Sequence, residues 1–148
     1  PAEINGVHYH FVSDDQFTAM KEAGEFLEST SYVGYQYGTS IREIKRIQAT
    51  GCIPLLEIEI DGFSQVKSNG LPLRSVFVTT DCIETLKNRL IKRRSHTPQE
   101  IDKRIQRAME EIAVAKTSGF DTIIHNDDLQ EAYARLRNHI CTWYPGLK

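Results

Sequence analysis

Three short apolar runs, "CIPLLEIEI" from Cys52, "LRSVFVTT" from Leu73 and "FDTIIHN" from Phe120, are separated by segments whose apolar residues recur at helical spacing. Runs of this kind bury both faces and belong to parallel sheets, whose strands need a crossover helix between them. From Ser40 onward the order is helix, strand, helix, strand, helix, helix, strand, helix, which predicts an α/β layered fold with a mainly parallel sheet. The 148 residues, 40% hydrophobic and 26% charged, suffice for one such domain, and no repeat, low-complexity segment or flexible linker divides them.

Element boundaries follow from local chemistry. Ser13 and Gln16 stand at capping-box spacing and Gly24 supplies a left-handed stop, predicting a helix of about ten residues between them. Ser40 with Glu43 repeats the box ahead of "IREIKRIQAT", which Gly51 ends. Thr97-Pro98 starts the long helix "PQEIDKRIQRAMEEIAVAKTS", stopped by Gly119. A short helix over 62–68, "DCIETLKNRLIKR" and "DDLQEAYARLRNHICTWY" complete the helices. Pro54 cannot donate a ladder hydrogen bond, so it belongs at the start of its strand or opposite a gap in the sheet. Before Ser40 the pattern changes: Asn5-Gly6 reads as a tight turn feeding a strand to about Ser13, "EFLESTSYV" is a second strand, and residues 9–39 look like a small β-rich lobe.

Charge and composition exclude several classes. A net charge of −2 and a pI near 6.2 give no basic field for nucleic acid or an anionic membrane. No apolar run approaches the roughly 18 residues that span a bilayer, and "PAEINGVHYH" lacks a signal's apolar stretch, so a cytoplasmic protein is expected. Cys52, Cys82 and Cys141 are odd in number and unpaired in spacing, which reads as reduced structural thiols. His8-x-His10 has no partner at ligand spacing. There is no G-x-x-x-x-G-K-[ST], G-x-S-x-G, H-E-x-x-H or G-x-G-x-x-G.

Three constellations could carry chemistry. In "FLESTSYVGYQYGTS", a buried Glu28 could accept parallel hydrogen bonds from the N1–H and 2-amino groups of guanine, a pair that adenine does not offer. Thr39 could donate to the guanine O6, and Tyr9 and Tyr37 supply hydroxyls and aromatic surface for a phosphate or a ring. An aromatic strand followed by a glycine turn would look the same. "LLEIEIDG" places Glu57, Glu59 and Asp61 on one face of a strand end, able to meet a substrate or hold hydrated magnesium, or simply to be solvated. Arg89 and Arg93 share a helix face, with Arg104 and Arg107 beyond "RSHT"; such forks suit a transferring phosphoryl group, and a solvated charged face is the plain alternative.

Taken together, "EINGVHYHFVS", "GEFLE", "YGTS", "LLEIEIDG", the arginine segment and "HNDDLQEAY" resemble the guanylate kinase family in order and spacing over nearly the whole chain. The resemblance implies a P-loop-kinase-like parallel sheet flanked by helices, a small β-rich GMP-binding lobe over about residues 1–40, core over 41–92 and 119–148, and a lid with its long helix over 93–118, all one domain. It implies phosphoryl transfer from ATP to GMP with Mg2+, giving GDP and ADP, with GMP and ATP as the partners. By the same resemblance Tyr9 and Tyr37 hold the GMP phosphate, Glu28 and Thr39 read the base, Glu57 lies beside GMP and Glu59 near magnesium. Arg89, Arg93 and Arg104 gather around the nucleotide phosphates, and Asn126 lies near the adenine of ATP. Arg94 stands where the family usually has glycine after the lid arginine. The family's first strand and lysine-bearing phosphate loop have no counterpart here, so the isolated chain is expected to turn over little or no GMP. A second reading is the guanylate kinase-like module of membrane-associated scaffold proteins, which binds phosphorylated peptides; those modules typically lose the lid arginines that this chain keeps.

Overall fold

Reciprocal side-chain capping boxes fix where two of the helices begin. In the computed structural model, which describes residues 3–32, 34–93 and 97–146, Ser13 and Gln16 cap each other's backbone N–H groups at the start of α1 (Asp14–Glu22). Thr97 and Glu100 do the same for α5 (Pro98–Ala115), with Pro98 in its first turn. Gly24 and Gly119, at φ 70° and 68°, end α1 and the turn after α5 in the left-handed conformation the sequence predicts.

The described residues divide into two compact units, Pro1–Leu71 and Pro72–Lys148. The first holds α1, β1 (Phe26–Tyr32), β2 (Tyr35–Ser40), α2 (Ile41–Ala49) and α3 (Ile60–Ser68). β1 and β2 form an antiparallel hairpin. Two strands alone are marginal in water; this pair gains its core from Phe17 of α1, Leu27 of β1, and Ile60, Phe63 and Val66 of α3, all buried. Each large apolar side chain there contributes on the order of 1.5–3 kcal/mol.

The second unit holds β3 (Val76–Thr79), α4 (Ile83–Lys92), α5, β4 (Thr122–His125) and α6 (Leu129–Trp143). β3 and β4 pair in parallel, Val76 with Thr122 through Thr79 with His125. Helices α4 and α5 pack together and α6 packs on β4, burying Leu90, Ile101, Ala115, Ile124 and Ala132. The strands are fastened where they begin: Ser75 donates its N–H and hydroxyl to Asp121 Oδ2 at 2.8 and 2.7 Å, and Asp121 N–H returns to Ser75 Oγ at 3.0 Å.

The structure corrects five expectations. Residues 7–13 form no strand; Asn5 and Tyr9 make one isolated bridge, Asn5 Oδ1 accepts from Phe11 N–H at 2.9 Å and His8 Nδ1 from Ile4 N–H at 2.9 Å. Side chains have taken the backbone groups that a ladder would use. Residues 52–59 also form no strand: Pro54 lacks a donor, no described segment supplies a ladder, and Leu55 is 91% exposed. The helix at its end starts at Ile60 with Glu59 as N-cap, so Asp61 lies in a helical turn rather than on one face with Glu57 and Glu59. Tyr35–Ser40, expected as a turn, is a strand. The second capping box is absent, because Glu43 accepts a bidentate pair from Arg46 instead and Ser40 makes no side-chain cap.

Candidate functional site: a buried carboxylate and an arginine-braced strand end

In the first unit the hairpin sets Glu28 opposite Thr39. Thr39 Oγ1 donates to Glu28 Oε1 at 2.6 Å, and Glu28, at 5% exposure, is one of two buried polar residues among those described. Among the described residues this carboxylate accepts only that bond, which leaves most of its lone pairs for a ligand. Its other oxygen, Oε2, lies against Gly62 in the first turn of α3. Tyr9 meets Tyr37 edge-on, with ring centroids 5.8 Å apart; Tyr9 is exposed and Tyr37 half-buried. The structure thus joins Glu28 to Thr39 and Tyr9 to Tyr37.

Glu57 and Glu59 stand two residues apart before α3, the first exposed and the second half-buried. Neither carboxylate takes a hydrogen bond or ion pair from the described residues, so both remain hard oxygen donors with free capacity.

In the second unit Arg89 reaches from α4 to the end of β4. Its Nη1 donates to the Asn126 carbonyl at 2.6 Å and its Nη2 to the Asp127 carbonyl at 3.1 Å, bringing two of the expected residues together. Arg93, the exposed C-cap of α4, makes no side-chain hydrogen bond among the described residues, and Arg104 is half-buried on α5. Arg94 lies outside the described residues.

Residues that sequence reasoning passed over also gather here. His125 Nδ1 lies 2.6 Å from Asp81 Oδ1, and Asp127 Oδ2 accepts from Asp81 N–H at 2.8 Å. A cavity of about 240 Å³ is lined by these three with Asp128, Glu131 and Arg135. It lies where the two parallel strands end, the ligand-binding side of open α/β sheets, and that rule was the signal available for finding it. The three cysteines are free, as expected, and exposed rather than buried; at the N-cap of α4 the Thr85 hydroxyl, ahead of the backbone N–H groups, holds the Cys82 thiol below its usual range.

A guanylate kinase from Frankia casuarinae is 42% identical over 136 residues, covering 92% of this chain and 73% of that one. Guanylate kinase 1 of Arabidopsis thaliana is 35% identical over 137 residues, and there the chain spans only 35% of the relative's length. A solved guanylate kinase from Anaplasma phagocytophilum shares the fold, at a TM-score of 0.73 and 23% identity over 95% of this chain and 67% of that one. With the guanylate kinase family pattern matched over residues 1–142 as well, the chain belongs to the guanylate kinase family.

Proposed function

We infer that the chain serves transfer of the terminal phosphoryl group of ATP to GMP, giving GDP and ADP. The observation that carries this reading is the buried Glu28 carboxylate braced by Thr39 at 2.6 Å. A carboxylate so placed presents two acceptors to a base edge with two adjacent donors, the N1–H and 2-amino of guanine. Thr39 spends its one proton on Glu28, so it meets the base as an acceptor and acts first as a brace. This revises the expected donation to O6. Tyr9 and Tyr37 bind the GMP phosphate through their hydroxyls, and Glu57 lies beside the nucleotide.

In the second unit Arg93 and Arg104 offer guanidiniums to the transferring phosphoryl group, whose charge is what this chemistry must stabilise. Arg89 retains donors beyond the two that hold Asn126 and Asp127, and Asn126 lies by the adenine. The oxygen-only, uncommitted carboxylate of Glu59 fits Mg2+ held through water. When bound, the ion neutralises charge on the phosphates of ATP.

On this reading residues 1–40 are the GMP-binding lobe, 41–92 and 119–148 the core and 93–118 the lid of a single functional domain, working in the cytoplasm in purine nucleotide metabolism. No helix among the described residues is long and apolar enough to cross a membrane. Isothermal titration tests the acceptor half: GMP is expected to bind and AMP not to, and equal affinities for the two would overturn the guanine reading. In a preparation that also carries a lysine-bearing phosphate loop, ADP release dependent on both ATP and GMP tests the transfer.

A further inference from the structure

The face on which Glu28 stands is decided by one extra residue. Phe26 pairs with Ser40 and Glu28 with Thr39, so Leu27 has no counterpart on β2 and β1 bulges there. In an unbroken strand, residues two apart share a face; the bulge instead turns Glu28 away from Phe26. Phe26 stacks on Phe17, ring centroids 4.6 Å apart, and closes over Gly38, where a Cβ would come within 2.8 Å of the ring. Glu28 is left on the face of Thr39 and Tyr37.

A bulge persists when its stray backbone groups find partners. One stripe of α3 supplies them. Asn69, which caps the C-terminus of α3, donates its side-chain amide to the Leu27 carbonyl at 3.1 Å. Gln65 accepts from Ser29 N–H and donates to Ser29 C=O, both at 3.0 Å, so that a side-chain amide takes the place of a neighbouring strand along the outer edge of β1. Three residues earlier on the same stripe, a Cβ on Gly62 would lie 2.9 Å from Glu28 Oε2 and 3.3 Å from Ile58 Cβ. The Gly62 backbone is helical, so glycine is required here for space and not for conformation.

We propose that Gly62 and Gln65 are positioning residues for base selection: Gln65 holds the outer edge of β1 at Ser29, the residue after Glu28, beside the bulge whose Leu27 carbonyl Asn69 takes, and Gly62 leaves the room in which both carboxylate oxygens face the base. The proposal rests on Glu28 being the guanine-reading group. It names the selected ligand as a purine monophosphate with donors at both N1 and the 2-position. A parallel pair of hydrogen bonds needs both oxygens in line, so turning the carboxylate breaks the pair and with it the advantage of a base that offers both donors.

The test is titration of the chain with GMP and with inosine monophosphate, which lacks the 2-amino group. The unaltered chain is expected to prefer GMP by about tenfold or more, the worth of one charged hydrogen bond. Gly62→Ala and Gln65→Met should each bring that ratio within about threefold of unity, with inosine monophosphate affinity little changed. Gln65→Met keeps the side chain's length, and it decides alone if Gly62→Ala shows no cooperative melt. Folded variants that keep the original ratio, or that lose both nucleotides equally, overturn the positioning role while leaving the guanine reading intact. An unaltered chain without preference overturns the guanine reading and this inference with it.

Discussion

Thr39 Oγ1 lies 2.6 Å from Glu28 Oε1 across the β1–β2 hairpin, so a hydroxyl whose one proton is committed braces a buried carboxylate. Bracing fixes the direction of the carboxylate.

Glu28→Gln keeps the shape and an oxygen for Thr39, but puts an amide donor where one of two acceptors stood. GMP affinity is expected to fall by about 1–3 kcal/mol, the cost of a lost charged hydrogen bond and a mismatched donor. The melting temperature should stay close to that of the unaltered chain. Titration calorimetry beside a thermal melt checks both, and unchanged GMP affinity would remove Glu28 from the site.

The two capping boxes written in the sequence have different fates, and that difference is measurable. Thr97→Ala removes the acceptor for Glu100 N–H and the partner of the Glu100 carboxylate, so it should cost about 1 kcal/mol. In a chain of this size that lowers the melting temperature by about 2–4 °C. Ser40→Ala removes no cap bond and should stay within about 0.5 kcal/mol of the unaltered chain. Equal losses at the two sites would contradict the structure.

The helices were legible because their signals are local: Ser13, Thr97 and Gly119 act within one turn of themselves. Ser40 and Glu43 carried the same signal, but Arg46 three residues on outbid the helix terminus for the carboxylate. The strand expected at 52–60 failed for the opposite reason, since a strand depends on a neighbour that its own residues do not specify. For the candidate site, family-like spacing singled out Glu28, Thr39 and Arg89, which the structure places in hydrogen bonds across the hairpin and to the end of β4. It did not single out Gln65 and Gly62, whose contacts depend on the packing of α3 against β1, which no period reveals. His125 and Asp81 lie far apart in the chain and meet only through the register of β3 with β4.

Acid should act on the second unit through Asp121. The Ser75 hydroxyl first, then Ser75 N–H and Arg74, against the opposing effect of burial, hold its carboxyl below the usual value of 3.8. A folded-state pKa lowered in this way adds stability that is fully present above pH 3.8 and is lost as pH falls through the lower folded value. Asp121→Asn should therefore be less stable than the unaltered chain at neutral pH, with the difference shrinking as the pH drops below that range. Parallel melts from pH 7 downward check the sign. A constant gap between the two chains across the acid limb would show that ionisation of Asp121 does not hold the β3 and β4 entrances together.

Arg89 and Arg93 lie one helical turn apart on α4 and should separate into different classes of residue. Arg89 is half-buried, and its fork holds two consecutive backbone carbonyls, those of Asn126 and Asp127. Arg89→Lys keeps the charge and loses the fork, so stability should fall by about 1–3 kcal/mol, the range for hydrogen bonds from a charged group. Arg93 is exposed and makes no side-chain hydrogen bond among the described residues, so Arg93→Ala should leave the melt unchanged. In a preparation that turns over, Arg93→Ala should instead lower kcat far more than it weakens GMP binding, as expected for a charge that acts mainly in the transition state. A melt shifted by Arg93→Ala, with kcat untouched, would assign Arg93 to the scaffold and leave phosphoryl transfer without it.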